Sequence, residues 1–289
     1  MAQLDPAVAA KREKLKSILQ ELLQDGILVA FSGGVDSTAL LWAAEQVRSA
    51  QGGRVSALTT ISASMPDGDL QDAKQLAETL GVRHILEQSR EIENPLYVQN
   101  DPLRCYYCKS ELFDIARRVA GENDLKWIIY GYNASDHSDD RPGHRAAVEG
   151  GVRSPLSECG LEKDEIRKIL AGAGLTVSEK PASPCLSSRV MHGIKITPRI
   201  LNDVARLENI IAAAGIEVFR VRVCSSEKGH FIRVEVGAAD MPAILEIRED
   251  LIREARLLNY LWVTLDLEPY RTGGGTFSGE KGKGALRDN

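Results

Sequence analysis

The 289-residue sequence has no apolar run approaching the roughly 20 residues that a membrane-crossing helix needs. Its first residues, MAQLDPAVAAKREKLKSILQEL, lack the apolar core of a secretory signal. Both absences point to a cytoplasmic protein. A basic excess is missing too: 36 Lys and Arg stand against 41 Asp and Glu, a formal net charge of −5. That disfavours a large non-specific nucleic-acid footprint, while leaving room for a local basic patch. Cysteine is scarce, with five residues, Cys105, Cys108, Cys159, Cys185 and Cys224. In a reducing compartment these read as thiols or metal ligands rather than as a disulfide framework. No internal repeat of domain size is visible. What remains is an ordinary soluble composition, 43% apolar and 27% charged. The length accommodates two domains, each with its own core.

The chain is organised around ILVAFSGGVDSTALLWAAEQV, Ile27 to Val47. It reads as a buried strand (27–31), a glycine turn, and a helix opening near Asp36 or Ser37. Ser32, Gly33, Gly34, Asp36 and Ser37 spell S-G-G-x-D-S. Glycine permits backbone angles closed to other residues and lets a loop approach a ligand closely. A helix start behind it aims free N–H groups and a positive dipole end at the same spot, which suits an anion. The lysine of a Walker A loop is absent, so this is a different phosphate loop. It resembles the PP-loop of the ATP pyrophosphatases, which grip the pyrophosphate of ATP and cleave between the α and β phosphates. A tight turn with a Ser or Asp helix cap would use some of the same residues. Five fixed positions arise by chance about once in a few thousand chains of this size, and here they fall between a strand and a helix.

Around that stretch the pattern alternates. A helix over 7–24 precedes it; strands at 55–62, 82–86 and 127–132 follow, with helices at 67–80 and 105–120 between them. Alternation of this kind implies crossover connections and an α/β fold: a parallel sheet with helices on both faces. Ligands in such sheets bind at the carboxyl ends of the strands. The loop after Phe31, the segment after Thr60 and the segment after Tyr130 would converge there. The polar segment 130–156 is too long for a simple connection and reads as an ordered functional loop, followed by a charged helix at 162–171. EKPASPCLSSR (179–189) reads as extended and fixed in shape by its prolines. Residues 1–194 thus form the nucleotide domain. A smaller α+β domain covers 195–271, with helices at 198–214 and 241–257, strands at 218–224, 231–236 and 262–267, and a hairpin around SSEKG. The Gly-rich tail, 272–289, reads as disordered.

Cys105 and Cys108 form C-x-x-C at a helix start, where a thiolate is favoured and two sulfurs can face one ion. Cys185 sits in the stiff proline-framed loop, outside any core pattern. Three soft donors suit a [4Fe–4S] cluster with one iron open; zinc, which wants four closed ligands, and independent thiols are the other readings. Cys224 ends an apolar strand and Cys159 precedes a helix; both read as buried small hydrophobes.

SGGVDS, CYYCK, YGYNASD…RPG…E…VRSPL, the Lys163 to Arg167 helix and KPASPCLSSR together resemble the LarE family, over residues 1 to about 270. These are ATP-dependent sulfur transferases that help make the nickel-pincer nucleotide of lactate racemase. The resemblance implies that ATP adenylylates a carboxylate of pyridinium-3,5-biscarboxylic acid mononucleotide, and that sulfur then displaces AMP to give a thiocarboxylate. It implies that Ser32, Gly33, Gly34, Asp36 and Ser37 hold ATP phosphates, with Asp36 orienting Mg²⁺ or a ligand hydroxyl. Thr60 and Ser62 would lie by the adenine, with Gly131, Asn133 and Asp136 in the matching loop. Arg189 would neutralise anionic groups near Cys185. Arg220 and Arg222, on one face of a strand, would bind the substrate phosphate or simply form a solvated face. The best-known members sacrifice the sulfur of one cysteine, matching Cys185. The added Cys105 and Cys108 resemble the three-cysteine members, which use a [4Fe–4S] cluster. Expected partners are the nucleotide substrate, a sulfide or other sulfur donor, enzymes of the same cofactor pathway and further copies of this chain; no membrane and no nucleic acid. A tRNA-thiolating enzyme, an amide-forming ATP pyrophosphatase and a non-enzymatic nucleotide or iron–sulfur sensor are the competing readings.

Overall fold

A computed structural model describes residues 5–138 and 142–270. The chain divides into two compact units, Met1–Pro184 and Cys185–Asn289. In the first, helix α1 (Pro6–Leu23) opens with the Asp5 side chain accepting from the Ala7 N–H at 2.8 Å and with Pro6 in the first turn, where no N–H is missed. Strand β1 (Ile27–Ala30) leads to α2 (Val35–Gln51), β2 (Val55–Ile61), α3 (Asp69–Thr79) and β3 (Arg83–Gln88). Then come α4 (Pro95–Val98), α5 (Arg104–Glu122), β4 (Trp127–Tyr130), α6 (Pro142–Glu149), α7 (Pro155–Glu158) and α8 (Lys163–Gly172).

The sheet runs β3-β2-β1-β4, with every pair parallel. Ile27 lies opposite both Val55 and Trp127, and Ala30 opposite Leu58 and Tyr130. From β1 the chain builds to one side through β2 and later to the other at β4. The glycine turn therefore leaves the sheet at its topological switch point. The two-residue period of the strands divides the core. Ile27, Val29 and Ile129 join Leu19, Leu40 and Ile166 on the α1, α2 and α8 face. Leu28, Ile128 and Tyr130 join Phe113, Val119 and Ala147 on the α5 and α6 face. Each fully buried Leu, Ile, Val or Phe among them contributes about 1.5–3 kcal/mol.

Segment 130–156, expected as a loop, carries helices of its own, α6 and the start of α7. Only Ala146 and Ala147 of α6 are buried, so its eight residues show almost no apolar stripe to read. Beyond α6 the backbone returns to the sheet edge: Arg153 N–H donates to Ile128 O at 3.0 Å, and Tyr130 N–H to Arg153 O at 3.1 Å. Among the described residues no helix is long and apolar enough to cross a membrane.

The second unit begins with a short 3-10 turn, Leu186–Arg189, followed by α9 (Pro198–Ala213), whose Thr197 hydroxyl accepts from Ile200 N–H. Strands β5 (Phe219–Ser226) and β6 (Gly229–Val236) form the expected antiparallel hairpin, and β7 (Val263–Leu265) adds parallel to β6. The division after Pro184 falls ten residues before the sequence-based boundary. Residues 185–194 belong with the hairpin because Val190 bridges to Val223 and Met191 N–H donates to Val223 O at 3.1 Å. The helix expected over 241–257 is two, α10 (Met241–Glu246) and α11 (Arg248–Leu257), broken where Ile247 takes φ −96° and ψ 9°. No glycine or proline marks that break. The tail expected at 272–289 lies outside the described residues.

Candidate active site

The turn after β1 leaves the N-terminus of α2 uncapped, an arrangement that suits a negative ligand. Gly33 has φ +70°, and a Cβ there would stand 3.1 Å from the Cα of Ala73, so α3 backs the turn at contact distance. Gly34 caps α2 without any side-chain hydrogen bond to the first-turn N–H groups. A Cβ on Gly34 would meet only Ser32 Oγ, at 3.4 Å. The space above the helix start is thus kept open by the missing side chain. Ser32 Oγ and Ser37 Oγ lie 3.2 Å apart, and Ser37 Oγ donates to Gly34 O at 3.1 Å. Both hydroxyls frame the uncapped N–H groups.

Asp36, in the first turn of α2, accepts from Lys163 Nζ through Oδ2 and from Asn133 Nδ2 through Oδ1, the latter at 3.3 Å. Asn133 is buried, with its own Oδ1 accepting from Ser135 N–H at 2.9 Å and its N–H donating to Asp136 Oδ2 at 3.2 Å. Gly131 is required by α2: a Cβ would fall 2.7 Å from Ser37 N and 2.8 Å from Asp36 C. The structure therefore brings Ser32, Gly33, Gly34, Asp36, Ser37, Gly131, Asn133 and Asp136 into one locus. Thr60 and Ser62 are half-buried at the carboxyl end of β2, beside β1. Ser62 Oγ lies 2.8 Å from Ser64 Oγ, which donates to the buried Glu91 at 2.6 Å.

Lys163 is the residue that sequence reasoning left out of the site. One signal was available. Lys163 opens α8 directly after its cap Glu162, and a cation at a helix N-terminus opposes the dipole, so another interaction should hold it there.

Cys105 and Cys108 lie near the start of α5, the former exposed and the latter half-buried. Arg104 Nη2 reaches Cys105 Sγ at 3.9 Å. Cys185 is half-buried and heads the second unit. Cys159 and Cys224 are buried, and burial raises both thiol pKa values. Among the described residues no three His, Cys, Asp or Glu side chains are grouped as a metal site.

In the second unit, Arg189 is 3% exposed and pairs with Glu208, Nε to Oε1 at 2.9 Å, while its Nη1 donates to Cys185 O at 3.2 Å. Arg222 Nε donates to Glu235 Oε1 at 2.6 Å and its Nη1 to Ser188 O at 3.0 Å. Arg220 lies over the Tyr270 ring at 4.8 Å. Burial, then the neighbouring Arg189 charge, pulls its pKa below the usual guanidinium value. Arg220 and Arg222 are both buried, which removes the reading of a solvated strand face. The three arginines lie together, with Glu208 and Glu235 pairing Arg189 and Arg222, because the 185–190 segment is fastened to β5.

A glycine turn with paired hydroxyls at the switch point of a parallel sheet defines an ATP-utilising protein of the PP-loop class, and residues 8–101 match the PP-loop domain family. The chain is 38% identical over 266 residues to an uncharacterized protein of Synechocystis sp., covering 91% of this chain and 96% of that one. It is 30% identical over 266 residues to the pyridinium-3,5-bisthiocarboxylic acid mononucleotide synthase of Lactiplantibacillus plantarum, covering 92% of this chain and 94% of the synthase. An uncharacterized protein of Methanocaldococcus jannaschii is 25% identical over 260 residues, 90% of this chain and 96% of its own. The chain belongs to the LarE family of that synthase.

Proposed function

We propose that this protein is an ATP-dependent sulfur transferase acting on pyridinium-3,5-biscarboxylic acid mononucleotide. The likeness to the Lactiplantibacillus synthase carries this reading, because it spans 92% of the chain and so includes both units. In the first half-reaction a substrate carboxylate oxygen attacks the α phosphorus of ATP and pyrophosphate leaves. The α2 N–H groups, Ser32 and Ser37 would hold the phosphates, and Asp36 would hold Mg²⁺, a hard cation that takes carboxylate and phosphate oxygens. In the second half-reaction a sulfur nucleophile attacks the acyl carbon and AMP leaves, giving a thiocarboxylate. Arg189, Arg220 and Arg222 would hold the anionic substrate; their burial strengthens charge–charge attraction.

For the sulfur, we propose a [4Fe–4S] cluster held by Cys105, Cys108 and Cys185. Support comes from donor chemistry alone, since the described residues hold no ready-made metal group: Cys105 is exposed and Cys108 and Cys185 are half-buried, whereas Cys159 and Cys224 are buried. Such a cluster would supply an iron site able to carry an extra sulfide. The sulfide donor would be a partner, and the exposed Leu257, Trp262 and Leu267 of the second unit support self-association.

The test is anaerobic protein with ATP, Mg²⁺, sulfide and the dicarboxylate nucleotide. Pyrophosphate and AMP should form only with the acceptor present, and the acceptor should gain the mass difference between sulfur and oxygen. Pyrophosphate release indifferent to the acceptor, or no mass gain, overturns the assignment.

A further inference from the structure

The last residues of the first unit, Ser178 to Pro184, run SEKPASP and lead directly into Cys185. Pro181 and Pro184 stiffen this segment by fixing φ and removing donors. A stiff segment needs few anchors, and this one has several. Arg167 donates through Nη1 to Ser178 O and through Nη2 to Lys180 O, the second at 2.9 Å. Lys180 Nζ donates to Asp69 Oδ1 at 3.0 Å and to Asp72 Oδ2 at 2.7 Å. Ser183 Oγ donates to Asp69 Oδ2 at 3.2 Å. Both oxygens of Asp69 are thus used by one short segment. Its side chain is 18% exposed and that of Lys180 24%.

The carboxylates favour the charged lysine strongly enough to raise its pKa, although burial, the largest single influence, acts the other way. A solitary surface ion pair contributes little to stability and need have no role. Two features set this one apart. Its second contact falls on Ser183, two residues before Cys185. And the helix that supplies both carboxylates, α3, is the helix that backs the phosphate turn, with Ala73 against Gly33.

We propose that Asp69 is a positioning residue for sulfur transfer, gripping through Lys180 and Ser183 the segment that presents Cys185. The proposal rests on the sulfur-transfer reading above. Asp69 and Asp72 lie in the first turn of α3, and the contact with Gly33 is made one residue beyond, by Ala73. Loosening the grip therefore leaves the phosphate turn supported. Adenylylation should persist while the sulfur step, which depends on the placement of Cys185, slows.

The experiment compares wild type with Asp69→Asn, Lys180→Met and the conservative Lys180→Arg. Two rates are measured separately: acceptor-dependent pyrophosphate release and thiocarboxylate formation. A misplaced reacting group loses about 10- to 100-fold. We expect that loss in thiocarboxylate formation for Asp69→Asn and Lys180→Met, with pyrophosphate release and KM for ATP unchanged and with Lys180→Arg close to wild type. A parallel fall of both rates indicates general destabilisation and overturns the proposal, as does an unchanged sulfur step. Alkylation of Cys185 by iodoacetamide, followed by peptide mass spectrometry, gives a readout that needs no activity. It should be several-fold faster in Asp69→Asn than in wild type. If wild type transfers no sulfur, the functional reading fails, and an unchanged alkylation rate then sinks the grip on Cys185 as well.

Discussion

Lys163 and Asp36, 127 positions apart, form an ion pair beside the glycine turn. The turn has no lysine of its own, and α8 brings one to it from the far end of the unit. Asp36 is also the carboxylate proposed above to hold a cation arriving with ATP. Such a cation would compete for Asp36 and release Lys163 toward phosphate oxygens. Lys163→Met should lower adenylylation by about 10- to 100-fold and raise KM for ATP, as loss of a charge-assisted contact does. Lys163→Arg should retain most of the rate. Thermal unfolding should hardly change in either, since the pair is partly exposed. Wild-type kinetics in Lys163→Met would show that the lysine serves only the free protein.

Asp36→Ala should abolish pyrophosphate release while the circular dichroism spectrum stays native. Gly34→Val should do the same by filling the open space over the α2 N-terminus. Acceptor-dependent AMP formation at wild-type rate in either variant would remove the turn from the site.

Gly131→Ala places a Cβ 2.7 Å from Ser37 N, which is backbone and cannot rotate away. The expected cost is about 1–3 kcal/mol, together with weaker ATP binding if the displaced first turn of α2 holds phosphate as proposed. Gly121→Ala is the control: it lies in α5 with nothing within 4 Å of the added methyl. That change should be neutral or stabilising by up to about 1 kcal/mol. Calorimetry on both variants decides, and equal melting temperatures would contradict the contact.

Cys105→Ala, Cys108→Ala and Cys185→Ala should each stop sulfur transfer and lower iron content, while adenylylation continues. Cys159→Ala and Cys224→Ala should transfer sulfur normally. Intact mass after one turnover separates the sulfur sources: dehydroalanine at position 185 would replace the cluster route by a sacrificial one.

The Arg153 guanidinium, chiefly by its hydrogen bond, holds the Glu158 carboxyl below the usual carboxylate range. The folded-state pKa is depressed, so the stabilisation is present above the unfolded value, about 4.3. It is lost as pH falls through the folded value. Glu158→Gln should therefore cost about 0.5–1 kcal/mol near neutrality and nothing at the acid end. Melting temperatures across that range should converge for variant and wild type; a constant offset would assign the effect to packing instead.

Much of the first unit was readable because its signals are local. An apolar strand, a glycine turn and a helix start occur consecutively at Ile27 to Ser37, so one window shows the whole motif. Lys163 was not readable in that way, because its partner is 127 positions away and helix spacing says nothing of such distances. Arg220 and Arg222 illustrate a different limit. The two-residue period puts both on one face, but burial of that face depends on Glu235 across the hairpin and on Ser188 at the head of the unit. Helix α6 escaped notice because alanines alone form its buried side. The break at Ile247 has no sequence mark at all.

The unequal burial of the cysteines makes the chain its own gauge of integrity. A thiol reagent applied to the native, cluster-free protein should titrate Cys105, Cys108 and Cys185, whereas in denaturant it should find all five cysteines of the sequence. The two that appear late sit one in each unit, Cys159 in the first and Cys224 in the second. Their separate rates of appearance, resolved by peptide mass spectrometry, therefore report which half of the molecule opens first, with no cysteine engineered in.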